Sequence, residues 1–303
     1  MLLIKEEEVR CLLPMTEAMR LVRDSFEGLA TGRAINQPRR RLVVPSGAAL
    51  HQMAGVWGNY FGTKIYSTHV KHGAHFHVML YDAATAEPLA LFEANWLGQI
   101  RTGAATGVAT QLLAREDSRV LGIIGTGFQA RSQVEAVRQA RKIDTVRVWS
   151  RNPRKRSEFA SETGAQATET AEQAIREADV IVTATFAKDP VLEPAWVRDG
   201  AHVNAVGSNN PERRELPADL VMRAGLIAAD SIEQARIESG DLILAFQPAD
   251  WESGRVVEMS KVVSGAAGRS SPDQITIFKS NGLGVQDVAA AAFVYERVKA
   301  SRA

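Results

Sequence analysis

The chain has 303 residues, with 36 Lys or Arg against 35 Asp or Glu, so its formal net charge is only +1. A hydrophobic fraction of 45% excludes a mainly disordered chain, and the balanced charge argues against a dedicated nucleic-acid-binding protein. No apolar run reaches the roughly 18 residues of a membrane span, the N-terminus lacks a signal-peptide pattern, and the single cysteine, Cys11, indicates a reducing, cytoplasmic location.

The first hundred residues predict a helix followed by a mostly antiparallel sheet. Residues 15–31 place apolar side chains at helical spacing. Alternating segments then predict half-buried strands, and an alanine-rich stretch predicts a connecting helix. The strands are expected at residues 41–45, 59–71, 75–82 and 89–94, and the helix at residues 99–116.

From Arg119 onward, short apolar strands alternate with helical segments. This alternation is typical of βαβ units and predicts an α/β fold with a Rossmann-type, doubly wound parallel sheet. The last helix, residues 285–301, is expected to pack back on the N-terminal part, which would make that domain discontinuous in sequence. We therefore predict a smaller α+β domain of residues 1–112 plus 288–303, and a nucleotide-binding domain of residues 113–287. The strands are expected at residues 119–124, 145–150, 178–185, 201–207 and 225–231, and the helices at residues 131–142, 152–164 and 171–178.

A glycine motif directly follows the first of these strands. Gly125, Gly127 and Ala130 form G-x-G-x-x-A, and a helical pattern comes next. The first glycine allows the tight turn, the second lets the backbone approach a pyrophosphate, and the alanine permits close packing of helix on strand. The helix N-terminus then offers N–H groups to phosphate. The motif predicts a dinucleotide site, with Thr126, Phe128 and Gln129 as further contacts.

The end of the next strand indicates which dinucleotide is bound. An NAD site usually has an acid there that holds the ribose 2′-hydroxyl, but this chain continues with Ser150, Arg151, Asn152, Pro153 and Arg154. Guanidinium groups suit a 2′-phosphate, which a carboxylate would repel. We therefore predict a preference for NADP(H) over NAD(H), with Arg151 as the main contact. Ser150, Asn152 and Arg154 are expected to assist, whereas Lys155 and Arg156 fit a solvated helix face.

Basic residues stand out in the N-terminal half. Arg39, Arg40 and Arg41 follow a proline, Lys64 lies among apolar and aromatic residues of a strand, and Arg101 begins a small-residue helix. A lysine in such a strand either extends to water or meets an anion. Several cations converging on one pocket would bind a carboxylate.

Three histidines raise the question of a metal site. His75 and His77 share one face of a predicted strand, and His72 lies nearby. Two histidines without a third ligand in register make a poor zinc site, so we expect no metal and a half-buried sheet face instead.

Taken together, these segments resemble the ornithine cyclodeaminase/mu-crystallin family over nearly the whole chain. The resemblance implies a Rossmann domain with a dimerising substrate domain, and chemistry on 2-amino or 2-imino acids with a nicotinamide cofactor. It implies that Arg41, Lys64 and Arg101 hold the substrate carboxylate, with Arg40 as the alternative to Arg41. The motifs that carry it, in order, are PRRRLVVP, GTK, IRTGAATGVAT, VLGIIGTGFQA, VWSRNPRK, VNAVGSNNPERREL and NGLGVQDVAAA.

The chain departs from the family pattern at two acids. Cyclodeaminases and alanine dehydrogenases share a G-x-D motif, but here Asn209 stands in the place of that aspartate. Cyclodeaminases also carry a glutamate before a Met-Pro pair, where this chain has His51-Gln52-Met53-Ala54. An amide cannot serve as a general base. The losses argue against deamination of ornithine. The arginine after the second strand of the nucleotide-binding domain resembles the NADPH-using mu-crystallin branch, which also lacks this aspartate and is associated with ketimine reduction.

These observations predict an NADPH-dependent reductase of small 2-imino or cyclic ketimine carboxylates, such as pyrroline- or piperideine-2-carboxylate. Lys64 and Asn209 are the expected catalytic residues. A cyclodeaminase-type lyase, an alanine dehydrogenase-like enzyme and a non-catalytic binding protein are the alternatives, and a homodimer is expected from the resemblance. Thr185, Val206, Asn281 and Leu283 are expected near the cofactor, although a structural turn explains the last two equally well. Asp287 fits either a helix cap or a functional group.

Overall fold

The fold is described from a computed structural model, which describes residues 1–302. None of the helices in this part of the chain is long and apolar enough to cross a membrane. The elements up to Leu113 are β1 (Leu2–Ile4), α1 (Glu6–Leu12), α2 (Met15–Thr31), β2 (Ala34–Val43), β3 (Ala49–Trp57), β4 (Tyr60–His69), β5 (Gly73–Asp82), β6 (Pro88–Glu93) and α3 (Asn95–Leu113).

The remaining elements alternate short strands with helices, as the sequence predicts. A 3₁₀ turn at Pro194–Trp196 lies between β10 and β11. The elements are β7 (Val120–Ile124), α4 (Phe128–Ala140), β8 (Thr145–Trp149), α5 (Pro153–Thr163), β9 (Gln166–Ala167), α6 (Ala171–Ile175), β10 (Val180–Thr183), β11 (His202–Ala205), α7 (Ala218–Arg223), β12 (Leu226–Ala229), α8 (Ile232–Glu238), α9 (Gly240–Ile243), α10 (Pro248–Glu252), β13 (Val256–Glu258), α11 (Met259–Val263), β14 (Thr276–Lys279) and α12 (Gly284–Arg302).

The chain divides into two compact units. The first comprises Met1–Arg101 and the chain from Gly282 onward, and the second comprises Thr102–Asn281. The boundaries expected after residues 112 and 287 fall inside α3 and α12. A helical pattern continues through both positions, so the sequence carries no local signal of where one unit ends.

The first unit is built on a six-stranded sheet in the order β1-β6-β5-β4-β3-β2, antiparallel except for the pair β1 and β6. Strand β3 was not predicted. It contains Ala54 and Gly55, and small residues of this kind weaken a strand signal. It also placed only residues 41–45 in a strand, whereas β2 begins at Ala34. The antiparallel α+β character of the unit is as predicted.

Helix α12 packs against this sheet, so the first unit contains both the beginning of the chain and its last helix. A Cβ atom added at Gly55 would lie 2.6 Å from the Cα of Val285, and one added at Gly62 would lie 3.2 Å from Cγ2 of Val288. Glycine at these two positions lets the first turns of α12 approach β3 and β4. This close approach places Asp287, between the two valines, at the sheet.

The second unit is built on eight parallel strands in the order β13-β12-β14-β11-β10-β7-β8-β9. This is the doubly wound parallel sheet that the sequence predicts, with apolar clusters on both faces. Val180 and Val182 pack on one face, and Ile181 packs on the other. The strand order reverses between β7 and β10, which is where such sheets bind ligands at their carboxyl ends. The sequence analysis missed β14, the strand that lies between β11 and β12.

Candidate active site

Three elements of the first unit bring two cations and one carboxylate together. Lys64 lies on β4, Arg101 on α3 and Asp287 in the first turn of α12. Nζ of Lys64 donates to Oδ1 of Asp287 at 2.9 Å, and Nε of Arg101 donates to the same oxygen at 3.0 Å. The three residues are 2%, 6% and 0% exposed, respectively. The cluster keeps an excess positive charge in a buried place, which suits a substrate carboxylate.

The charge of Lys64 responds to its surroundings. Burial, together with the charges of Arg101 and Arg39 and against the opposing effect of Asp287, lowers the pKa of its ammonium to about 8. The ring centroid of Phe76 lies 5.3 Å from Nζ and adds a weak attraction for the charged form. Lys64 is therefore a cation at neutral pH but loses its proton far more easily than an exposed lysine.

Two glycines make room for these cations. A Cβ atom at Gly98 of α3 would lie 2.8 Å from Nζ of Lys64. Gly282 has φ +81°, and a Cβ atom there would lie 2.6 Å from Arg101. Gly98 and Gly282 therefore leave the space that the side chains of Lys64 and Arg101 occupy.

Arg39, which the sequence analysis did not select, is the buried arginine of the PRRR segment. It is 5% exposed, and its guanidinium donates to Sδ of Met53 at 3.3 Å. Its charge also lowers the pKa of Lys64. The pairing of β2 with β3 is irregular between Gln37 and Arg40, and no strand was predicted there, so the sequence offered no register from which to select Arg39.

The pairing register of β2 with β3 places Arg40 and Arg41, the two candidates for binding the carboxylate, on opposite faces of the sheet. Arg41 pairs with His51 and Arg40 pairs with Gln52. Because successive strand residues point to opposite faces, Arg41 lies on the face of His51 and Lys64, and Arg40 lies on the other. Arg41 is exposed at the end of this face. Its contact with a substrate carboxylate remains a prediction.

His51 begins the segment in which the cyclodeaminase glutamate is missing, and its side chain lies on the same sheet face as Lys64. Its ring stacks on Tyr66 with centroids 4.3 Å apart, and Nε2 lies 2.9 Å from Oγ1 of Thr68. Burial, together with the charges of Arg41 and Arg39, lowers its pKa to about 4. The imidazole is therefore neutral at physiological pH and adds no charge to the site.

The glycine motif of the second unit forms the predicted strand-to-helix turn. Gly125 has φ +113°, and a Cβ atom there would meet the carbonyl oxygen of Ala184 at 2.4 Å. Gly127 begins α4 without a side-chain cap and has open space where a Cβ atom would stand, while Ala130 is fully buried. The first-turn N–H groups and this open space fit a pyrophosphate. Phe128 is 46% exposed, and Oε1 of Gln129 is buried without a hydrogen-bond partner in residues 1–302.

The loops after β7 and β8 are joined at the position expected for the adenosine ribose. Oγ1 of Thr126 donates to Oγ of Ser150 at 3.1 Å. Arg151 follows as an exposed side chain. The N–H groups of the Arg151 guanidinium are thus available to a ligand next to these two loops.

Two of the expected helper residues have structural roles of their own. Oδ1 of Asn152 accepts the backbone N–H of Lys155 at 3.0 Å and caps α5. Arg154 forms an ion pair with Glu158 at 3.0 Å on the exposed face of α5. These contacts explain both residues locally, and their contact with a cofactor is left as a prediction.

A buried acid shapes the ends of β10 and β11, where Thr185 and Val206 lie. The carboxylate of Glu215 accepts the backbone N–H groups of Thr185 and Gly207, each at 2.7 Å, and the hydroxyl of Thr183 at 3.0 Å. Burial raises the pKa of this carboxyl group. Val206 is partly buried against the core. Glu215, absent from the predicted site, therefore holds the two strand ends that were expected near the cofactor.

The loop that carries Asn209 follows directly. Nζ of Lys279 donates to the carbonyl oxygen of Ser208 at 2.6 Å. Asn209 lies in a small cleft with Phe186 and Arg213, whose guanidinium stacks 4.3 Å from the Phe186 ring centroid. The amide of Asn209 therefore lies on a loop whose backbone is fixed by the hydrogen bond from Lys279.

The two residues expected near the nicotinamide fall in different units. The backbone N–H of Asn281 donates to Oδ2 of Asp230 at 2.7 Å, and the contact of this residue with a cofactor stays a prediction. Leu283 belongs to the first unit and is fully buried.

The histidines form no metal cluster in the described part of the chain. His75 and His77 are exposed on β5, and residues 1–302 contain no group of three potential ligands.

With this geometry in place, comparison with known proteins assigns the family. The model of the ornithine cyclodeaminase/mu-crystallin family matches residues 1–302. The chain belongs to this family. It is 42% identical to a Δ1-pyrroline-2-carboxylate reductase from Bacillus cereus over 228 residues, which cover 73% of this chain and 70% of that one.

Two solved structures of the family share the entire fold. The Thermococcus litoralis Δ1-pyrroline-2-carboxylate reductase, in complex with NADH and L-proline, has a TM-score of 0.94 at 32% identity and covers 100% of this chain and 98% of its own. An archaeal alanine dehydrogenase dimer with bound NAD has a TM-score of 0.93 at 34% identity, covering 100% and 97%.

Asp287 is the member of this charge cluster for which the sequence left open a helix cap or a functional group. The residues that follow it, VAAAA, are apolar, so an acid at this position of a helix has no solvated face. A buried acid needs a cationic partner, and that requirement is the signal that could have joined Asp287 to Lys64 and Arg101.

We expect one lysine of the folded protein to titrate near pH 8, because burial disfavours the ammonium of Lys64. In lysine labelled with carbon-13 at Cε, NMR should show one resonance with this midpoint, below the ordinary 10.5. The resonance should disappear in Lys64→Met and persist in Lys71→Met, which removes an exposed lysine. A spectrum in which every lysine titrates above pH 10 would contradict the prediction.

Proposed function

We propose that this chain is an NADPH-dependent reductase that converts small 2-imino or cyclic ketimine carboxylates, such as pyrroline- or piperideine-2-carboxylate, into amino acids. The observation that carries the proposal is the buried pair of Lys64 and Arg101 on one oxygen of Asp287. Such a cluster has the charge and donors to hold a small carboxylate. Its relatives include reductases of pyrroline-2-carboxylate.

The residues of the first unit would bind and orient the substrate. Lys64, Arg101 and Arg41 offer N–H donors of positive charge to the carboxylate, and binding at a buried site gives each contact more weight than in water. A fixed carboxylate fixes the imine carbon next to it, and orientation of reactants lowers a barrier by several kcal/mol, up to roughly 7–11 kcal/mol in the best intramolecular cases. The hydride is supplied by the reduced nicotinamide when it is bound.

The chain has no acid at the two positions where cyclodeaminases of the family carry one. Asn209 carries an amide in its loop, and His51 is neutral because its pKa is lowered to about 4. A protonated imine needs little additional acid catalysis, so an amide that hydrogen-bonds the substrate nitrogen or a water is sufficient. The two positions at which the family's cyclodeaminases carry acids therefore supply no general base, which disfavours the lyase alternative.

An amino-acid dehydrogenase is the second candidate function. The close match to an archaeal alanine dehydrogenase favours it. The chemical step would be the same hydride transfer, on an imine that hydrolyses to an oxo acid and ammonia. The two candidates differ in which imine is reduced.

The preference for NADPH is argued from the strand end after β8. Arg151 is exposed there beside the joined loops of Thr126 and Ser150, and no acid occupies the position that would hold a ribose 2′-hydroxyl. A 2′-phosphate on the ribose would be attracted to this guanidinium.

A homodimer is the proposed assembly. On the sheet face opposite α12, Leu42, Leu50 and Ile65 are 62%, 46% and 37% exposed on three adjacent strands. Exposed apolar side chains on neighbouring strands favour an interaction site. A second copy of the chain is the expected occupant, in keeping with the archaeal dimer to which the chain is similar.

The reductase activity is tested by NADPH oxidation with pyrroline-2-carboxylate, piperideine-2-carboxylate, and pyruvate or glyoxylate with ammonia or methylamine. We expect oxidation with a cyclic imine, and a loss of kcat/KM of about 100-fold in Lys64→Met, since a buried charged hydrogen bond contributes up to about 3 kcal/mol. Lys71→Met is the control and should retain activity. Ammonia release from ornithine without NADPH oxidation on any imine would support the lyase instead.

The cofactor preference is tested with Arg151→Ala. The KM for NADPH should rise about tenfold, which corresponds to roughly 1.4 kcal/mol, while the KM for NADH should stay the same because NADH lacks the 2′-phosphate. Lys155→Ala removes a nearby exposed cation and serves as the matched control. An unchanged KM for NADPH in Arg151→Ala, or tighter binding of NADH by the wild type, would show that the assignment is wrong.

The assembly is tested by sedimentation equilibrium. The wild-type chain should have twice the mass of the 32.9 kDa monomer, and Leu50→Glu should shift it toward the monomer because a charge would be buried in the contact. Met222→Glu, at an apolar residue of α7 that is 38% exposed, is the control. A dimer that Leu50→Glu leaves intact would place the interface elsewhere.

A further inference from the structure

The two oxygens of the Asp287 carboxylate have different surroundings. Oδ1 accepts from both Lys64 and Arg101. Oδ2 is buried and has no hydrogen-bond partner among residues 1–302. A carboxylate is an acceptor on both oxygens, and a buried acceptor left unpaired costs free energy. Oδ2 therefore lacks a donor that a bound molecule can supply.

The charges of the first unit point to the kind of donor. Lys64, Arg101 and Arg39 are buried cations, whereas Asp287 is the only buried acidic residue of this unit in the part of the chain described. Arg39 and Arg101 both act on Lys64, since both lower its pKa. The three cations exceed the one anion, so a bound carboxylate has partners and a bound cation has a single carboxylate to meet.

Other polar groups near this face do not provide a second anion. His51 is neutral at physiological pH, and Met53, between it and Gly55 on β3, offers only a thioether. A protonated 2-imino acid carries a negative carboxylate attached to C2 and a positive N–H on the nitrogen that is bonded to C2. Its two charges match the excess cations and the one open carboxylate oxygen.

We propose that Oδ2 of Asp287 accepts the N–H of the substrate's iminium nitrogen, and of the product's ammonium nitrogen, while Lys64 and Arg101 hold the carboxylate. This inference rests on the proposed function and deepens it, because it names the group that recognises the nitrogen. Asp287 is not required to transfer a proton: hydride addition to the iminium carbon moves the C=N π electrons onto nitrogen and gives a neutral amine that keeps its N–H. This amine becomes the ammonium by taking one proton from water. The site thereby selects N–H-bearing carboxylates over oxo acids or ethers of the same shape.

The experiment compares two ligands that differ only at this atom. L-proline carries the ring N–H, and (S)-tetrahydrofuran-2-carboxylate has an ether oxygen in its place. Binding of each to the full-length protein with NADP⁺ is measured by titration calorimetry. The wild type should bind proline at least tenfold more tightly, as expected for a hydrogen bond between charged groups, and Asp287→Asn should reduce this ratio to about twofold.

The ratio separates recognition of the nitrogen from a purely structural role. If Asp287 only positions Lys64 and Arg101, Asp287→Asn weakens both ligands equally and leaves the ratio unchanged, which overturns the proposal. The wild-type ratio needs no variant to fold, and equal affinities for the two ligands overturn the proposal directly. Asp287→Glu, which keeps the carboxylate, should restore part of the ratio.

Failure of this inference is distinct from failure of the proposed function. Reduction of cyclic imines together with equal affinity for the two ligands refutes the role of Asp287 and leaves the function standing. Selective binding of proline without reduction of any imine refutes the function and supports the recognition role. Absence of proline binding overturns the role of Asp287, whatever the activity.

Discussion

The first unit depends on one buried charge cluster. Lys64, Arg101 and Asp287 come from a strand, a helix and the C-terminal helix, and they meet at a single carboxylate oxygen. Removing one member of such a buried group leaves an uncompensated charge and is costly, roughly 3–5 kcal/mol in general. The cluster therefore ties the end of the chain to its first hundred residues. The same contacts that complete the fold also prepare an excess of positive charge for a ligand.

The second unit uses the same device below its own loops. Glu215 holds the ends of β10 and β11, and Nζ of Lys279 forms a buried ion pair with Oδ2 of Asp241 at 2.8 Å while it binds the carbonyl oxygen of Ser208. The backbone N–H groups of Glu215 and the next residue donate in turn to Asp241, at 2.6 and 2.9 Å. Buried, mutually satisfied groups of this kind make a loop rigid. Glu215 and Lys279 thus fix the backbone next to Thr185 and Asn209.

Local signals in the sequence predicted much of the nucleotide-binding unit. The G-x-G-x-x-A motif works through neighbouring residues, because the turn at Gly125 and the start of α4 are decided within a few positions. The first unit was harder to predict. Strand β3 contains small residues, and the irregular pairing after Gln37 changes which arginine of PRRR is buried. Asn152 caps α5 and Arg154 pairs with Glu158 four residues on, so both residues also have local structural roles that their spacing is compatible with.

By itself, the sequence determined the family, the doubly wound sheet, the glycine turn before α4 and the selection of the cations Lys64 and Arg101, because each is expressed in contiguous motifs. It also determined that Asn209 stands where the G-x-D motif has an aspartate, and that the segment beginning at His51 contains no glutamate. Only the tertiary structure decided that Arg39 is buried beside Lys64, that Glu215 supports the strand ends, and that Asp287 belongs to the site. Each of these contacts joins residues far apart in the chain, and their energies depend on burial, which no local pattern records.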